Sequence, residues 1–473
     1  KTVPHLQIDD VCRLYFIAAV DYYRPIERIV IKATTNSFQH GIIMAGPIHR
    51  AKYLVVSPAT DAHKTSQIHI YIYVYIHKQV HNIHPKACLL KREETKKVLT
   101  VDAFTGTYGV NYGRIADNLP PPESVVTLLK AAKIKNVRIY DANHDVLTAF
   151  KGSGIEIVVG LGNELLKDIS VGEDRALNWV KENVEPFLPR TPIRGIAVGN
   201  EILGSTDPEL WEVLLPAVKN VYSALDRLNL TKTVEVSSPH SEGVFANSYP
   251  PSACVFKEDV LVYMKPLLQF FSQIDSPFYI NAYPFLAYKS DPEHININYA
   301  LFLSNVGLVD TKTNLHYDNM FDAQVDAAYA ALEKAGFNKT EVIVSETGWA
   351  SRGDANEAGA TVKNARTYNY NMRKRLAAKK GTPYRPKIAV KAYVFALFNE
   401  NLKPGPTSER NYGLFKADGG IAYDIGFTGL VPSSAVSQSL HSFKAIGAKG
   451  LLGYSYPVLL ITCAASLLLI VMS

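Results

Sequence analysis

Short apolar runs that end in polar residues alternate with longer amphipathic stretches through the middle of the chain. The clearest run is residues 342–345, three β-branched residues and a serine that lead directly into Glu346. An earlier run, residues 193–198, leads into Asn200 and Glu201 in a similar way. β-branched residues favour strands, and short apolar runs bounded by turn residues are typical of buried strands. The pattern therefore predicts buried strands that deliver carboxylates to one edge of a sheet.

Repeated eight times, this pattern indicates an α/β fold. The predicted strands are residues 108–110, 137–140, 155–161, 193–201, 233–237, 277–281, 342–346 and 389–398. The predicted helices are residues 123–132, 145–150, 174–184, 208–228, 261–271, 323–335 and 358–378. Eight strands in regular alternation with helices favour a (β/α)8 TIM barrel. An open doubly wound sheet would also fit, but no Gly-x-Gly-x-x-Gly turn follows the first strand and the sequence has no phosphate loop.

The predicted barrel has a functional consequence, because active sites in this architecture lie at the C-terminal ends of the strands. Polar and aromatic residues occupy those ends: Asn111, Tyr112, Asp141, Asn200, Glu201, Asn281, Tyr283, Glu346, Trp349 and Glu400. Amides and carboxylates can hydrogen-bond sugar hydroxyls, and aromatic rings can stack on sugar rings. Hydrolysis of a glycosidic bond requires two carboxyl groups. We therefore expect a carbohydrate site at this rim, with Glu201 and Glu346 as its catalytic pair.

Some of these residues also have a purely structural interpretation. A polar group at a strand end often satisfies only the backbone, which applies to Asn200 and Tyr283. Trp349 could equally be a core residue or a platform for a sugar ring. The charged residues between 400 and 409 could form a surface ion network.

Charge and cysteine content exclude several classes of function. The 473 residues include 50 Lys and Arg against 44 Asp and Glu, and we interpret the net charge of +6 as a mild excess spread along the chain, so we expect no nucleic-acid partner. Of the four cysteines, only Cys254 lies in the central region, where no disulfide framework can form. The histidines show no metal-ligand spacing: His144, His240, His294 and His316. We expect neither a metal nor a cofactor.

The C-terminal end differs from the middle. From Ser455 onward the chain carries no charged residue. Such a tail fits a transmembrane helix, but its length and the missing basic stop fit better the removable tail of a glycolipid (GPI) anchor signal. We expect this apolar tail at 451–473, a Ser- and Gly-containing spacer with the attachment point at 426–450, and a hydrolase domain at 105–425.

Residues 1–104 form an atypical leader. An anchor signal acts only on a chain that enters the secretory route, yet the apolar run at 13–20 follows Asp9 and Asp10, the wrong charge for a signal peptide. The tract 68–77 is rich in Ile and Tyr like a strand, but its composition is unusual. We expect this leader to be a disordered, unrelated extension or a gene-model artefact without a stable domain.

Two acceptor sequons for N-glycosylation, at Asn229 and Asn338, both fall between a predicted helix and the following strand. In a barrel those connections lie at the rim opposite to the predicted site. Glycans there would leave the site open, which suits a secreted enzyme.

Four ordered motifs give the middle of the chain a specific likeness to a known family. They are residues 108–114 (YGVNYGR), 198–201 (VGNE), 345–349 (SETGW), and 398–403 with 409–415 (FNENLK and ERNYGLF). Over residues 105–425 the chain resembles the plant endo-1,3-β-glucanases of glycoside hydrolase family 17. The resemblance implies that Glu201, on the fourth strand, is the general acid and base and that Glu346, on the seventh, is the nucleophile of a retaining mechanism. It also implies that Glu400, Lys403 and Glu409 shape the glucan site.

The residues themselves support the same chemistry. Ionised Glu346 would attack the anomeric carbon, and Glu201 would protonate the departing oxygen and then activate water. We expect the negative charge of Glu346, together with partial burial, to raise the pKa of Glu201. Asn200 is placed to hold a sugar hydroxyl, Tyr283 to donate to Glu346, and Lys403 to keep neighbouring carboxylates ionised. The predicted substrate contacts are Tyr112, Asn200, Tyr283, Trp349, Glu400, Lys403 and Glu409.

The expected activity is endo-hydrolysis of 1,3-β-D-glucosidic linkages in callose-type or fungal wall glucan. We expect a glycolipid-anchored monomer at the extracellular face of the plasma membrane or in the cell wall. Many relatives carry a cysteine-rich carbohydrate-binding module after the barrel, for which this chain has too few cysteines. Two alternatives remain, a non-hydrolytic glucan-binding protein at the cell surface and a transglycosylase that would share both carboxylates.

Overall fold

The computed structural model describes residues 29–33, 68–72 and 104–427. The chain divides into two units, residues 1–97 and 98–473. In the first unit, β1 (Ile29–Ala33) and β2 (Ile68–Ile72) pair antiparallel. The rest of the predicted leader, most of the spacer and the apolar tail lie outside the described residues, so what we predict for them stays a prediction.

The second unit is built on parallel strands that alternate with helices, and the predicted (β/α)8 barrel is confirmed. The strands are β3 (Tyr108–Tyr112), β4 (Asn136–Ile139), β5 (Glu156–Leu161), β6 (Ile193–Val198), β7 (Glu235–Ser237), β8 (Pro239–Ser241), β9 (Phe245–Asn247), β10 (Val255–Phe256), β11 (Phe278–Asn281), β12 (Leu308–Asp310), β13 (Leu315–Tyr317), β14 (Val342–Thr347) and β15 (Ala392–Val394). The helices are α1 (Pro122–Ala131), α2 (His144–Ala149), α3 (Leu166–Ser170), α4 (Glu173–Asn183), α5 (Pro208–Arg227), α6 (Glu258–Ile274), α7 (Pro284–Ser290), α8 (Ile297–Ala300), α9 (Met320–Lys334) and α10 (Val362–Ala377). Two small antiparallel pairs, β9 with β10 and β12 with β13, lie in connections outside the barrel sheet.

The barrel closes through one short segment of chain. Its strand order is β7-β6-β5-β4-β3-β15-β14-β11-β8, and every neighbouring pair is parallel. β7 and β8 stand at the two ends of this order, yet only Ser238 separates them in sequence. Residues 235–241 therefore act as a single fifth strand, whose first half pairs with β6 and whose second half pairs with β11. This arrangement removes the free edges that an open sheet would expose.

The strands are apolar on both faces because each face meets a different core. One buried cluster consists of Phe104, Val158, Ala197, Tyr279, Ile343 and Tyr393. The neighbours of these residues along the strands, such as Val342 and Val344 on either side of Ile343, pack instead in the cluster that contains the helices. Because side chains alternate across a strand, the small cluster fills the barrel interior and the large one lies between the sheet and the helices.

Phe104 closes the interior at the N-terminal ends of the strands. Its side chain is 1% exposed, and its ring meets Tyr393 edge-on with the centroids 4.8 Å apart. The backbone N–H of Thr105 donates to the side chains of Asn136 and Glu156, at 2.9 Å each, where β4 and β5 begin. Phe104 thus packs as part of the barrel, one residue ahead of the predicted boundary at 105.

Within residues 104–427, seven helices form where the pattern predicts them, with ends shifted by up to a few residues, whereas the short helices α3, α7 and α8 lie outside the predicted helices. Local signals set several of these ends: α1, α5 and α7 begin with a proline, and side chains of Asn143, Asn319 and Thr361 accept hydrogen bonds from the first turns of α2, α9 and α10. Among the described residues, none of the helices combines the length and apolar character that crossing a membrane requires.

The eighth strand is shorter than predicted. The apolar run covers residues 389–398, but β15 covers only Ala392–Val394. Beyond β15 the backbone pairs with a later loop, because Leu414 N donates to Ala396 O and Phe415 N donates to Leu397 O, both at 2.9 Å. An apolar run reports burial and not the identity of the hydrogen-bonding partner, so the pattern could not show this change.

Candidate active site

A bulge in β14 places Glu346 at the mouth of the barrel. Ile280 of β11 pairs with Val344, but the next residue, Asn281, pairs with Glu346, so Ser345 is an extra residue in β14. Bulges re-aim side chains and are common beside active sites. Both Ser345 and Glu346 consequently contact residues at the C-terminal ends of neighbouring strands.

Glu346 is buried, and both of its oxygens accept hydrogen bonds. The residue is 7% exposed. Its Oε1 accepts from Nη1 of Arg138 and from the hydroxyl of Tyr140, both at 2.8 Å, and its Oε2 accepts from the hydroxyl of Tyr283 at 2.7 Å. The guanidinium provides the positive charge that a buried carboxylate requires, and the two tyrosines fix its orientation.

Glu201 follows β6 in a turn with an unusual backbone conformation. Its φ is +54°, in the left-handed region that residues other than glycine rarely adopt, and Gly199 has a φ of +65°. Hydrogen bonds hold this turn: Glu201 N donates to Pro239 O at 2.9 Å, and Asn200 N donates to Oδ1 of Asn163 at 2.7 Å. Nδ2 of Asn163 donates back to Asn200 O at 3.1 Å. Backbone strain of this kind occurs mainly at functional sites, where the surrounding structure imposes it.

Two side chains, Asn281 and Arg138, connect the residues around Glu201 with those around Glu346. Nδ2 of Asn281 donates to Oε1 of Glu201 at 2.7 Å, while its Oδ1 accepts from the hydroxyl of Ser345 at 2.6 Å. Arg138, which binds Glu346, also donates through Nη2 to Oδ1 of Asn200 at 2.6 Å. Glu201 and Glu346 therefore share one site although they are far apart in sequence.

The negative charge of Glu346 affects the pKa of Glu201. Burial raises the pKa of Glu201, and the negative charge of Glu346 raises it further. The hydrogen bond from Asn281 and the positive charges of Arg138 and Lys403 act in the opposite direction but do not cancel this shift. Glu201 is thus the carboxyl group of the pair that holds a proton more readily than an ordinary glutamate, as a general acid must.

Glu400 lies on the adjoining part of the rim, after β15. It is 3% exposed, and its Oε1 accepts from Ile115 N at 2.8 Å. A Cβ at Gly113 would lie 2.5 Å from both carboxylate oxygens, so a larger residue there would force the Glu400 side chain to shift. Burial raises the pKa of Glu400, while the Ile115 N–H and the charge of Lys403 lower it.

Lys403 and Glu409 form an ion pair, and Lys403 lies over the ring of Phe395. Nζ of Lys403 lies 3.0 Å from Oε2 of Glu409 and 4.3 Å from the ring centroid of Phe395. The Phe395 ring in turn makes edge contacts with Tyr140 and Tyr283, the two tyrosines that bind Glu346. The predicted charged cluster is therefore connected to Glu346 through the rings of Phe395, Tyr140 and Tyr283.

Two of the predicted substrate contacts lie in the core. Trp349 is 0% exposed, packs against Phe285 and Tyr368, and donates its indole N–H to Gly359 O at 2.8 Å. Tyr112 is also buried and meets Phe398 edge-on. Neither ring presents a free face on which a sugar could stack, so the structure corrects these two assignments to packing roles.

Sequence reasoning missed Arg138 and Tyr140, which bind Glu346, and Asn163, which holds the turn before Glu201. Arg138 lies in the predicted second strand, which was interpreted only as an apolar run. The available signal was the charge itself, because an arginine inside a buried strand requires a partner. The pattern places Asn281 at the rim but does not indicate its role.

The described residues contain no group of His, Cys, Asp and Glu side chains able to hold a metal ion. The two sequon asparagines, Asn229 and Asn338, are exposed and lie in the connections that precede β7 and β14. These connections are at the N-terminal ends of the strands, opposite to the two glutamates.

Comparison with known sequences gives a consistent relationship. The family described as glycosyl hydrolases family 17 matches residues 108–427. Glucan endo-1,3-beta-glucosidase 14 of Arabidopsis thaliana is 51% identical over 338 residues, which are 72% of this chain and 86% of that protein. Glucan endo-1,3-beta-glucosidase 11 of the same plant is 50% identical over 332 residues, 70% of this chain and 78% of that protein.

Solved structures give the same relationship. A β-1,3-glucanase and allergen of Cryptomeria japonica pollen is 41% identical and superimposes with a TM-score of 0.66, covering 68% of this chain and 99% of its own. One of two plant β-glucan endohydrolases with distinct substrate specificities is 36% identical with a TM-score of 0.62, covering 67% of this chain and 99% of its own.

Proposed function

The chain belongs to glycosyl hydrolases family 17, and we propose that it acts by a retaining mechanism with Glu346 as nucleophile and Glu201 as general acid and base. It is a glycoside hydrolase that cleaves internal linkages of 1,3-β-glucans. The observation that carries the mechanism is the contrast between the two carboxyl groups. Arg138, Tyr140 and Tyr283 donate to Glu346, whereas burial and the charge of Glu346 favour a proton on Glu201.

In the first step, a carboxylate oxygen of Glu346 bonds to the anomeric carbon while the bond to the departing glucan oxygen breaks. Glu201 gives its proton to that oxygen, so the leaving chain departs as an alcohol. The positive charge of Arg138 remains next to Glu346 throughout. Arg138 and Tyr140 bind Oε1 of Glu346, and Tyr283 binds Oε2. The attacking oxygen is either Oε1, which Arg138 and Tyr140 hold, or Oε2 after Tyr283 releases it.

In the second step, Glu201 removes a proton from a water molecule, whose oxygen bonds to the anomeric carbon as the bond to Glu346 breaks. Two displacements at one carbon restore the original anomeric configuration. Asn281 keeps Glu201 in place through both steps, since its amide N–H can donate to either form of the carboxyl group.

The remaining predicted contacts arrange the sugar. Oδ1 of Asn200 accepts from Arg138, so its amide N–H is left to donate to a hydroxyl of the ring that is attacked. Glu400 and the ion pair of Lys403 with Glu409 would hydrogen-bond hydroxyls of neighbouring glucose units.

Outside the described residues, the apolar tail at 451–473 supports attachment to a membrane through a glycolipid anchor. The exposed sequons at Asn229 and Asn338 support N-glycosylation on the secretory route. The catalytic rim lies at the end of the barrel opposite to these two sequons. An anchored monomer would act there on wall glucan at the extracellular face of the plasma membrane.

The stereochemistry of the product tests the mechanism. Proton NMR of the first product from a linear 1,3-β-glucan should show the β-anomer before mutarotation, with oligosaccharides of several lengths from early cleavage. A first product in the α-configuration would overturn the assignment of Glu346 as nucleophile. Products longer than the supplied oligosaccharide would instead indicate transglycosylation.

A further inference from the structure

The positive charge of the chain is not spread evenly, which corrects the interpretation made from net charge. Residues 358–399 contain ten Lys and Arg and no Asp or Glu, whereas the whole chain has a net charge of only +6. The remainder of the chain is therefore net acidic. This basic segment comprises α10, the loop after it and β15.

Acidic partners account for only some of these cations. Arg375 pairs with Asp322, Arg385 with Glu333, and Lys391 with Glu341. Five exposed lysines of the segment have no acidic side chain of the described residues within ion-pair distance. Lys363 lies at the start of α10, and the other four lie near its C-terminal end or in the loop after it. We call these four the basic face: Lys374, Lys379, Lys380 and Lys387. Surface cations without partners maintain a positive potential around them.

The four lysines lie together because the loop after α10 folds back on itself. Arg375 donates through Nη1 to Lys380 O at 3.0 Å and through Nη2 to Gly381 O at 2.8 Å. Val390 N donates to Lys380 O at 3.2 Å, which closes the loop. Because α10 follows β14 and runs antiparallel to it, its C-terminal end lies at the rim opposite to Glu346. The basic face is thus at the far end of the barrel from the catalytic site.

The described chain also ends against α10. Nε of Arg366 donates to Asp424 O at 3.0 Å, and Nε of Arg373 donates to Ile425 O at 2.9 Å. Residues 424–425 therefore run along α10 toward its C-terminal end, and Arg373 also lies over the ring of Phe427. The described chain therefore ends at Phe427, next to Arg373 and one residue along α10 from Lys374 of the basic face.

We propose that the basic face binds the anionic headgroups of the membrane that holds the glycolipid anchor, so that the barrel rests on the bilayer with its catalytic rim turned away. This rests on the proposed glycolipid anchor. The substrate is a neutral glucan, so these lysines have no charge complement in it. A tether that starts beside the basic face keeps it at high effective concentration near the headgroups. Each lysine near an anionic surface should favour contact by about fivefold.

Lysine footprinting on vesicles tests this orientation. The glycolipid-anchored protein is reconstituted through its anchor into vesicles of phosphatidylcholine alone or with phosphatidylinositol, and lysines are labelled with an amine-reactive reagent. On the anionic vesicles, Lys374, Lys380 and Lys387 should be protected at least fivefold relative to Lys219, Lys265 and Lys363, which lie near the middle of α5 and α6 and at the N-terminal end of α10. High salt should remove this protection, because screening weakens contacts between surface charges and headgroups.

Matched charge reversals separate the basic face from general charge effects. The triple variant K374E, K380E and K387E should lose the salt-sensitive protection of Lys379, while the control K219E, K265E and K363E should keep it. Because Asn338 lies at the same rim, both proteins are prepared with and without its glycan. Equal labelling of both lysine sets on anionic and neutral vesicles would overturn the proposal.

Two further outcomes identify other causes. In one outcome, added polygalacturonate protects the lysines of the basic face on neutral vesicles, whereas anionic vesicles do not protect them. This result would overturn the membrane assignment in favour of an acidic polysaccharide. Failure of the protein to float with neutral vesicles would exclude the glycolipid anchor without deciding whether the basic face binds headgroups. In that case, salt-sensitive co-flotation of the same chain with anionic vesicles tests whether the basic face binds headgroups. Flotation that is lost in the K374E, K380E and K387E variant would support the proposal. No flotation with anionic vesicles would overturn the proposal.

Discussion

Asn281 donates its amide N–H to Glu201 at 2.7 Å while its carbonyl oxygen accepts from Ser345, the residue before Glu346. One side chain on the sixth strand thereby sets the position of the proposed acid and of the strand that carries the proposed nucleophile. This contact depends on the bulge at Ser345, which brings Asn281 opposite Glu346. The geometry of the pair is therefore built into the barrel rather than into flexible loops.

Glu346→Gln should reduce hydrolysis of 1,3-β-glucan by a factor of about 10⁴ or more, because an amide cannot form the covalent intermediate. The fold should persist, although Arg138 loses its ionised partner and stability should fall by roughly 3 kcal/mol. Reducing-end release and thermal unfolding measure the two effects. Glu164→Gln, at an exposed glutamate after β5, is the control and should change neither. Appreciable activity in Glu346→Gln would remove the proposed nucleophile.

Glu201→Gln should show a loss that depends on the leaving group. Cleavage of glucan needs the proton of Glu201 and should slow by about 10²–10⁴. Formation of the covalent intermediate from a dinitrophenyl glycoside, whose leaving group needs no proton, should slow far less. Added azide should restore turnover and give the β-glycosyl azide, because a small anion can replace the activated water. Equal losses on both substrates would instead indicate a structural role for Glu201.

The sequence predicts the barrel and both glutamates because each depends on a local pattern. Glu201 and Glu346 directly follow apolar runs, and a closed barrel brings such strand ends to one rim. The bulge at Ser345 has no sequence signal in a single chain, and the direction in which Trp349 points is set by tertiary packing. Arg138 lies inside an apolar run, and the run itself does not indicate which buried partner this charge requires.

Arg138→Lys tests whether geometry or charge matters beside Glu346. Lysine keeps the charge but cannot reach Glu346 and Asn200 at the same time, as the two guanidinium nitrogens do. We expect kcat to fall by about a hundredfold, by analogy with removal of one preorganised donor, while KM changes little. Steady-state kinetics on a linear glucan measure this. Arg194→Lys, at an ion pair with Glu156 on the opposite rim, should leave kcat unchanged.

Phe104→Ala should destabilise the barrel without affecting catalysis. The ring is buried against Tyr393 in the interior cluster, and its removal leaves a cavity that should cost about 3 kcal/mol. Chemical denaturation of the full chain measures the loss, and kcat at a temperature where both proteins are folded should be unchanged. Phe104→Leu should recover more than half of the stability. A stability equal to that of the parent chain would show that residue 104 does not pack in the barrel.

Lys403→Met should shift the alkaline limb of the pH profile to higher pH. Glu201 must be protonated for the first step, so kcat/KM falls as pH rises through its pKa. That pKa is raised by burial and by the charge of Glu346, and the positive charge of Lys403 lowers it. Removal of Lys403 takes away a lowering influence, so the pKa of Glu201 rises and activity persists to higher pH. Lys416→Met, at an exposed lysine after the last barrel strand, is the control and should leave the profile in place. A shift of the limb to lower pH would show that Lys403 does not act on Glu201 as a charge.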